Sequence, residues 1–276
     1  MRTPEEVLVE ESERSQRESG LAENLIDYDR VADFYDLYVA QDFDVAFFVA
    51  EAKRARGKVL ELMCGTGRVS LPLIEEAGAD MTCVDASEGM LARLEEKLRE
   101  RGLKARVVQQ DVRRLDLPEE EFDLAIVPFH SFSELVSPED QDLGLRAIRR
   151  CLKAGGRLIC PLQKPRVRAA SADGTLRLNG AFPTADGLFV VSGFETHDER
   201  TGVVDRVQFY EFFNASGEQR TKRALPMRFA LISRARFEEL ADAAGFEVAA
   251  LYGNYDRGDY REESSPYAIW VLKRAS

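Results

Sequence analysis

The stretch that decides the fold is "VLELMCGTGRVSLPL", residues 59–73. An apolar run stops at Glu61, passes Gly65 and Gly67 with one residue between them, and resumes with apolar residues at helical spacing. That pattern predicts a strand turning tightly into a helix around a ligand. The glycines can adopt positive φ and let backbone approach the ligand, while the helix start offers unpaired N–H groups. A dinucleotide site asks for G-x-G-x-x-G, with an acid about twenty residues on for the ribose hydroxyls. Asp85 stands at that distance, at the end of the next strand, but the third glycine position holds Ser70. Glu61 beside the turn would repel a pyrophosphate and attract a cation. The expected ligand is therefore an adenosine carrier with a positive end.

Outward from this turn, strands and helices alternate. "KVLELM" is followed by a helix to about Ala77, "ADMTCVD" by the helix "SEGMLARLEEKLRERG" with Ser87 as its cap, then come the strands "KARVVQQD" and "EFDLAIVPF". "PEDQDLGLRAIRRCLKAGG" reads as a helix ended by Gly155 and Gly156, and "RLICPL" as the fifth strand. The rhythm predicts a doubly wound α/β fold, its mostly parallel sheet covered by helices on both faces. Upstream, residues 1–24 form a polar acidic arm and 25–54 an aromatic helical cap of two short helices. The core spans 55–163. From 164 to 229 the text alternates with hairpin punctuation, predicting an antiparallel insertion of three to four strands. Residues 230–276 return to the core as a helix, capped by Ser233 and closed by Gly245, and two final strands that make the sheet seven-stranded.

The motifs occur in the order that marks the class I S-adenosylmethionine-dependent methyltransferases, and the chain resembles that family in its small-molecule-modifying branch. "ELMCGTGR" is similar to the family's first motif, "VDASEGML" to its second and "VVQQDVRRLDLP" to its third. "FDLAIVPFHSFSEL" and "LKAGGRLICPL" resemble the fourth and fifth. The resemblance implies S-adenosylmethionine as cofactor in a Rossmann-like sheet. It places Glu61, Gly65, Gly67 and Arg68 at the methionyl end, Asp85 on the ribose, and Ala86 and Met90 near ribose or adenine. Asp111 and Val112 would hold the adenine, and Pro128 and Phe129 would line the substrate side. Met63 departs from the family, which often has glycine there.

The fold puts ligands beyond the carboxyl ends of the parallel strands. His130, in "PFHSFSEL", is thus a candidate base or substrate contact. Tyr28 and Tyr35 are expected to close over the cofactor, Tyr28 also as a catalytic candidate, with Tyr38 beside the substrate. In "LYGNYDRGDY", Tyr252, Tyr255 and Asp256 could reach the substrate, with Tyr255 preferred. Arg168 and Arg223, and more weakly Arg206 and Arg228, are candidate grips on an anionic group. His197 has no assigned role.

The chain has 276 residues and a formal charge of −11, and lacks a basic stripe with interleaved aromatics. Nucleic acid is therefore not the expected partner, and with no apolar run of about 18 residues neither is a membrane. Cys64, Cys83, Cys151 and Cys160 form no CxxC pair, so buried thiols in a cytoplasmic setting and no metal site are expected. The insertion is expected to act as a substrate cap and, through "VQFYEFF", as a contact for a homodimer. The leading function is methyl transfer to a nitrogen or oxygen of a small metabolite. The alternatives are methylation of protein or tRNA, and binding of the cofactor or its product without catalysis.

Overall fold

The computed structural model describes residues 26–275. The acidic arm of residues 1–24 lies outside the described residues. Seven strands form one sheet: β1 (Lys58–Leu62), β2 (Asp80–Asp85), β3 (Arg106–Gln109), β4 (Phe122–Ile126), β5 (Leu152–Gln163), β10 (Phe246–Tyr252) and β11 (Tyr267–Arg274), in the order β10-β11-β5-β4-β1-β2-β3. β1 to β5 run parallel, and β11 is antiparallel to both of its neighbours. The strand order reverses between β1 and β4, which is where such a sheet opens a crevice for a ligand.

Alternation along β1 divides the core. Leu60 and Leu62 join one apolar cluster with Leu145 and Ile148 of α5 (Pro138–Cys151) and Phe237 of α7 (Arg234–Ala243). Val59 joins the opposite cluster, with Phe48 of α2 (Val45–Ala55), Leu73 of α3 (Ser70–Ala77) and Leu94 of α4 (Glu88–Arg101). Each face of the sheet is therefore sealed by helices, as continuous apolar strands require. All four cysteines are free and buried within these layers. Among the described residues, no helix is long and apolar enough to cross a membrane.

A second, four-stranded antiparallel sheet, β6-β7-β8-β9, comprises β6 (Arg177–Thr184), β7 (Gly187–Asp198), β8 (Val203–Asn214) and β9 (Gln219–Ala230). Its inner face, with Phe189, Val191, Tyr210 and Leu225, packs on Val31, Tyr28, Phe34 and Tyr38 of the N-terminal segment. Arg223 fastens the two by donating to the Arg30 carbonyl and to Asp33 Oδ1 at 2.6 Å, with its guanidinium over the Phe34 ring.

Three local expectations are corrected. Gly155 and Gly156 do not end α5, which stops at Cys151. They form a bulge in β5, where Gly155 has φ +75° and a Cβ at Gly156 would lie 2.9 Å from the Lys153 carbonyl. The segment after Gln163 opens with a helix, α6 (Pro165–Ser171), started by a proline at its first position, so Arg168 is helical and not on a strand. The N-terminal aromatic segment forms a 3-10 turn (Tyr28–Arg30), the one-turn α1 (Tyr35–Tyr38) and α2, three pieces in place of two. The caps Ser87 and Ser233 accept from Met90 N and Arg236 N.

Candidate active site

The crevice lies beyond the carboxyl ends of β1, β2 and β4. Its larger part encloses about 780 Å³ and is walled by Tyr28, Tyr35, Gly65, Asp85, Ala86, Met90, Asp111 and Val112. A smaller part, of about 340 Å³, is walled by Glu61, Thr66, Arg68, Pro128 and Phe129. Tyr35, Met63, Gly65 and Ser131 border both, so the two are continuous. Most of the residues assigned to the cofactor thus meet around one cavity. Gly67 touches neither part. Its φ is +83°, and a Cβ there would sit 2.3 Å from Leu94 Cδ1, so it serves the turn itself.

Asp85 organises the larger part of the cavity. Its Oδ2 accepts from Gly65 N at 2.7 Å and its Oδ1 from Ser87 N at 2.9 Å, while burial raises its pKa. Asp111 is held by Arg113, whose guanidinium also reaches Asp140 Oδ1 at 2.9 Å. Asp111 therefore lines the cavity with its carboxylate already engaged. Glu61 is 2% exposed and accepts from Ser70 Oγ at 2.5 Å, and burial pushes its pKa up to about 8. Ser70, where a dinucleotide site has glycine, thus anchors the acid. Arg68 faces the same end, but Asp44 takes its guanidinium through contacts of 2.5 and 2.8 Å, leaving little free positive charge. These acids and occupied cations suit a positively charged ligand and oppose a pyrophosphate.

Met63 has φ +54°. A left-handed residue costs roughly 1–2 kcal/mol unless it is glycine, which explains the family's preference there and leaves Met63 as a strained, half-buried wall of the cavity. The turn after β4 is strained too, with Phe129 and His130 both left-handed at φ +59° and +65°.

The N-terminal segment closes the cavity through its acids. Asp29 Oδ1 accepts from Ser87 Oγ and Gly89 N, both at 2.6 Å, and Asp36 accepts from Thr66 Oγ1 at 2.6 Å while pairing with Lys97.

Several substrate candidates lie elsewhere. His130 lines neither part of the cavity. Its ring stacks on Tyr267 at 5.2 Å and hydrogen-bonds the Pro161 backbone, its Nδ1 is buried without a partner, and burial lowers its pKa to about 4. The hydroxyls of Tyr38 and Tyr210 are hydrogen-bonded to each other at 2.8 Å. Tyr255 is packed among Phe43, Phe47, Phe48 and Tyr267. Arg168 and Arg206 share Glu195, Arg223 holds Asp33, and Arg228 holds Asp205. None of the four is a free grip for an anion, because each is engaged by an acid of the chain, Arg168 and Arg206 by one shared carboxylate.

The residue that sequence reasoning passed over is Glu134. It lines the larger part of the cavity, on the 3-10 turn Ser131–Glu134, and accepts from the Tyr28 hydroxyl at 3.2 Å. Burial pushes its pKa up to about 8, reinforced by the charge of Asp85. The available signal was one acid in an otherwise uncharged segment following a strand whose end faces the ligand.

Comparison with known proteins places this architecture. A family described as "Methyltransferase domain" matches residues 59–156. A phosphatidylethanolamine N-methyltransferase of Cereibacter sphaeroides is 36% identical over 143 residues, 47% of this chain and 66% of that protein. A ubiquinone/menaquinone biosynthesis C-methyltransferase of Xanthomonas campestris is 34% identical over 134 residues, 47% of this chain and 51% of that protein. The chain therefore spans two thirds or less of these two relatives. Among solved structures, the CcbJ methyltransferase of Streptomyces caelestis superposes with a TM-score of 0.77 at 25% identity, covering 90% of this chain and 97% of that one.

Proposed function

We propose that the chain is a class I S-adenosylmethionine-dependent methyltransferase, with S-adenosylmethionine as its cofactor, that transfers the methyl group to a nitrogen or oxygen of a small molecule. The observation that carries this reading is the pair of acids at the ends of β1 and β2, Glu61 buried and Asp85 half-buried. Glu61 would meet the cationic methionyl end, and Asp85, already fixed by Gly65 N and Ser87 N, would take the ribose hydroxyls. Tyr35 and Met63 border both parts of the cavity, where they would orient the methyl donor. When bound, the cofactor supplies an electrophilic methyl on a sulfonium.

A small acceptor is favoured by the N-terminal segment, which contributes Ile26, Tyr28 and Tyr35 to the cavity wall and is held there by the second sheet packed on it. Transfer to a well-placed nucleophile needs chiefly alignment and desolvation. The test combines calorimetry with a metabolite panel assayed for S-adenosylhomocysteine formation. Binding of S-adenosylmethionine, lost or strongly weakened in Asp85→Ala, and turnover of at least one small acceptor are expected. Absence of cofactor binding would overturn the reading.

A further inference from the structure

We infer that Glu134 takes a proton from the acceptor and that the acceptor is an amine, an inference that rests on the methyltransferase reading above. The cavity holds four buried or half-buried carboxyls, Glu61, Asp85, Asp111 and Glu134, of which Asp111 is paired with Arg113, while the arginines at its wall are spoken for, Arg68 by Asp44 and Arg113 by Asp111 and Asp140. The cofactor brings one net positive charge, and Glu61 and Asp85 already face it. Glu134 is the acid left over. It has no ion pair among the described residues. One oxygen accepts from Tyr28, and the other makes no hydrogen bond among the described residues. The cation acting on it through space, Arg168, is bonded to Gln163 and to Glu195, which it shares with Arg206, and lies over the Phe229 ring at 3.8 Å.

An uncompensated carboxyl of this kind prefers a ligand that brings its own positive charge. An alkylamine meets that need because it arrives as an ammonium ion. It must then lose one proton before its lone pair can attack, and a carboxylate whose pKa burial has moved towards neutrality is matched to that task. The ammonium proton passes to the Glu134 carboxylate. The freed nitrogen lone pair then forms the N–CH3 bond as the S–CH3 bond breaks, and the electron pair of that bond stays on sulfur, neutralising it. A hydroxyl acceptor brings no charge, and its proton is too weakly acidic for a carboxylate to remove.

The placement follows from the turn after β4. Left-handed Phe129 and His130 swing the chain so that the 3-10 turn presents Ser131 and Glu134 to the cavity while Phe132 is buried in the core. His130, stacked on Tyr267 and tied to Pro161, shapes this turn and leaves proton transfer to Glu134. Tyr28 is the positioning residue. Its hydroxyl stabilises the charged carboxylate, and it belongs to the segment that roofs the site.

The experiment has a spectroscopic and a kinetic arm. In the complex with S-adenosylhomocysteine, carbon-detected titration of the glutamate carboxyls should show one resonance, absent from Glu134→Gln, that titrates near pH 8. In Tyr28→Phe the same resonance should titrate higher, because a hydrogen bond favouring the charged form is gone. In the kinetic arm the panel consists of amino sugars and primary alkylamines matched one to one with their hydroxyl counterparts. Amines should be methylated and their hydroxyl partners not. Glu134→Gln should lower kcat about 100-fold or more and lose the acidic limb of the pH profile, with the Kd for S-adenosylmethionine within about threefold of wild type. Tyr28→Phe should lower kcat less than Glu134→Gln does and shift that limb to higher pH. The inference is overturned by a Glu134 resonance titrating at the ordinary value near 4.3, by preference for hydroxyl acceptors, by Glu134→Gln with kcat within threefold of wild type, or by a protein that binds the cofactor yet methylates no amine of the panel. Failure to bind the cofactor at all would instead sink the methyltransferase reading.

Discussion

Cofactor binding should expel a proton from Glu61. Burial holds this carboxyl at a pKa of about 8, its Ser70 hydrogen bond only partly offsetting the desolvation. At pH 7 the free protein therefore carries it about 90% protonated. A unit positive charge brought to about 4 Å at an effective dielectric near 20 is worth about 4 kcal/mol, or roughly three pKa units. The bound state would then hold Glu61 near pKa 5, almost fully ionised, and about 0.9 proton leaves per cofactor bound at pH 7. The sign follows directly. Because protons are released, affinity rises with pH, by nearly tenfold per unit between about 6 and 7, and levels above about 8 where the free carboxyl is already ionised. Calorimetry at pH 7 in two buffers of different ionisation enthalpy reads the proton count from the slope. Glu61→Gln should remove about 0.9 from that count. Protons from the cofactor's own amino group or from Glu134 are common to both proteins and cancel in the difference. A Glu61→Gln protein releasing as many protons as wild type would refute the assignment of Glu61 to the cationic end.

Asp85→Ala removes the group that fixes Gly65 N and Ser87 N, together with the ribose acceptor proposed above, and should raise the Kd for S-adenosylmethionine about 10- to 150-fold, read by calorimetry. Gly67→Ala forces a Cβ to 2.3 Å from Leu94 Cδ1 at φ +83° and should cost about 1–3 kcal/mol in urea unfolding, independently of cofactor. Stability of the free protein should fall as pH rises from about 4.3 through 8, because folded Glu61 and Glu134 keep protons that the unfolded chain has already released. Thermal melts from pH 5 to 9 test this, and the double variant Glu61→Gln, Glu134→Gln should flatten the decline.

The fold was legible because its signals are local. β1 and β2 are apolar runs that lead into a glycine turn and a serine cap, and Ser87, Ser233 and Gly245 act where the sequence places them. The errors fall where one residue type serves two conformations. Gly155 and Gly156 could end a helix or form a bulge, and only pairing between β4 and β5 decides for the bulge. Pro165 could break a strand or start a helix, and it starts α6.

The site was legible on the cofactor side for a different reason: the ligand there is met by backbone, and glycines and strand-end acids betray the backbone's path. The acceptor side is made of side chains whose neighbours are distant in sequence. Arg168 reads as a free cation until Glu195 is placed beside it, and Arg223 until Asp33 is. Glu134 reads as a surface acid until Tyr28, 106 positions away, is laid over it. Charge in a sequence is thus a poor guide to charge in a cavity, since pairing cancels most of it. Of the arginines expected to hold an anion none is free, while an overlooked acid faces the cavity without a counter-ion. The charge these side chains can offer a ligand is thus set by pairings between distant positions, Arg168 with Glu195 and Arg223 with Asp33, and not by the residues alone.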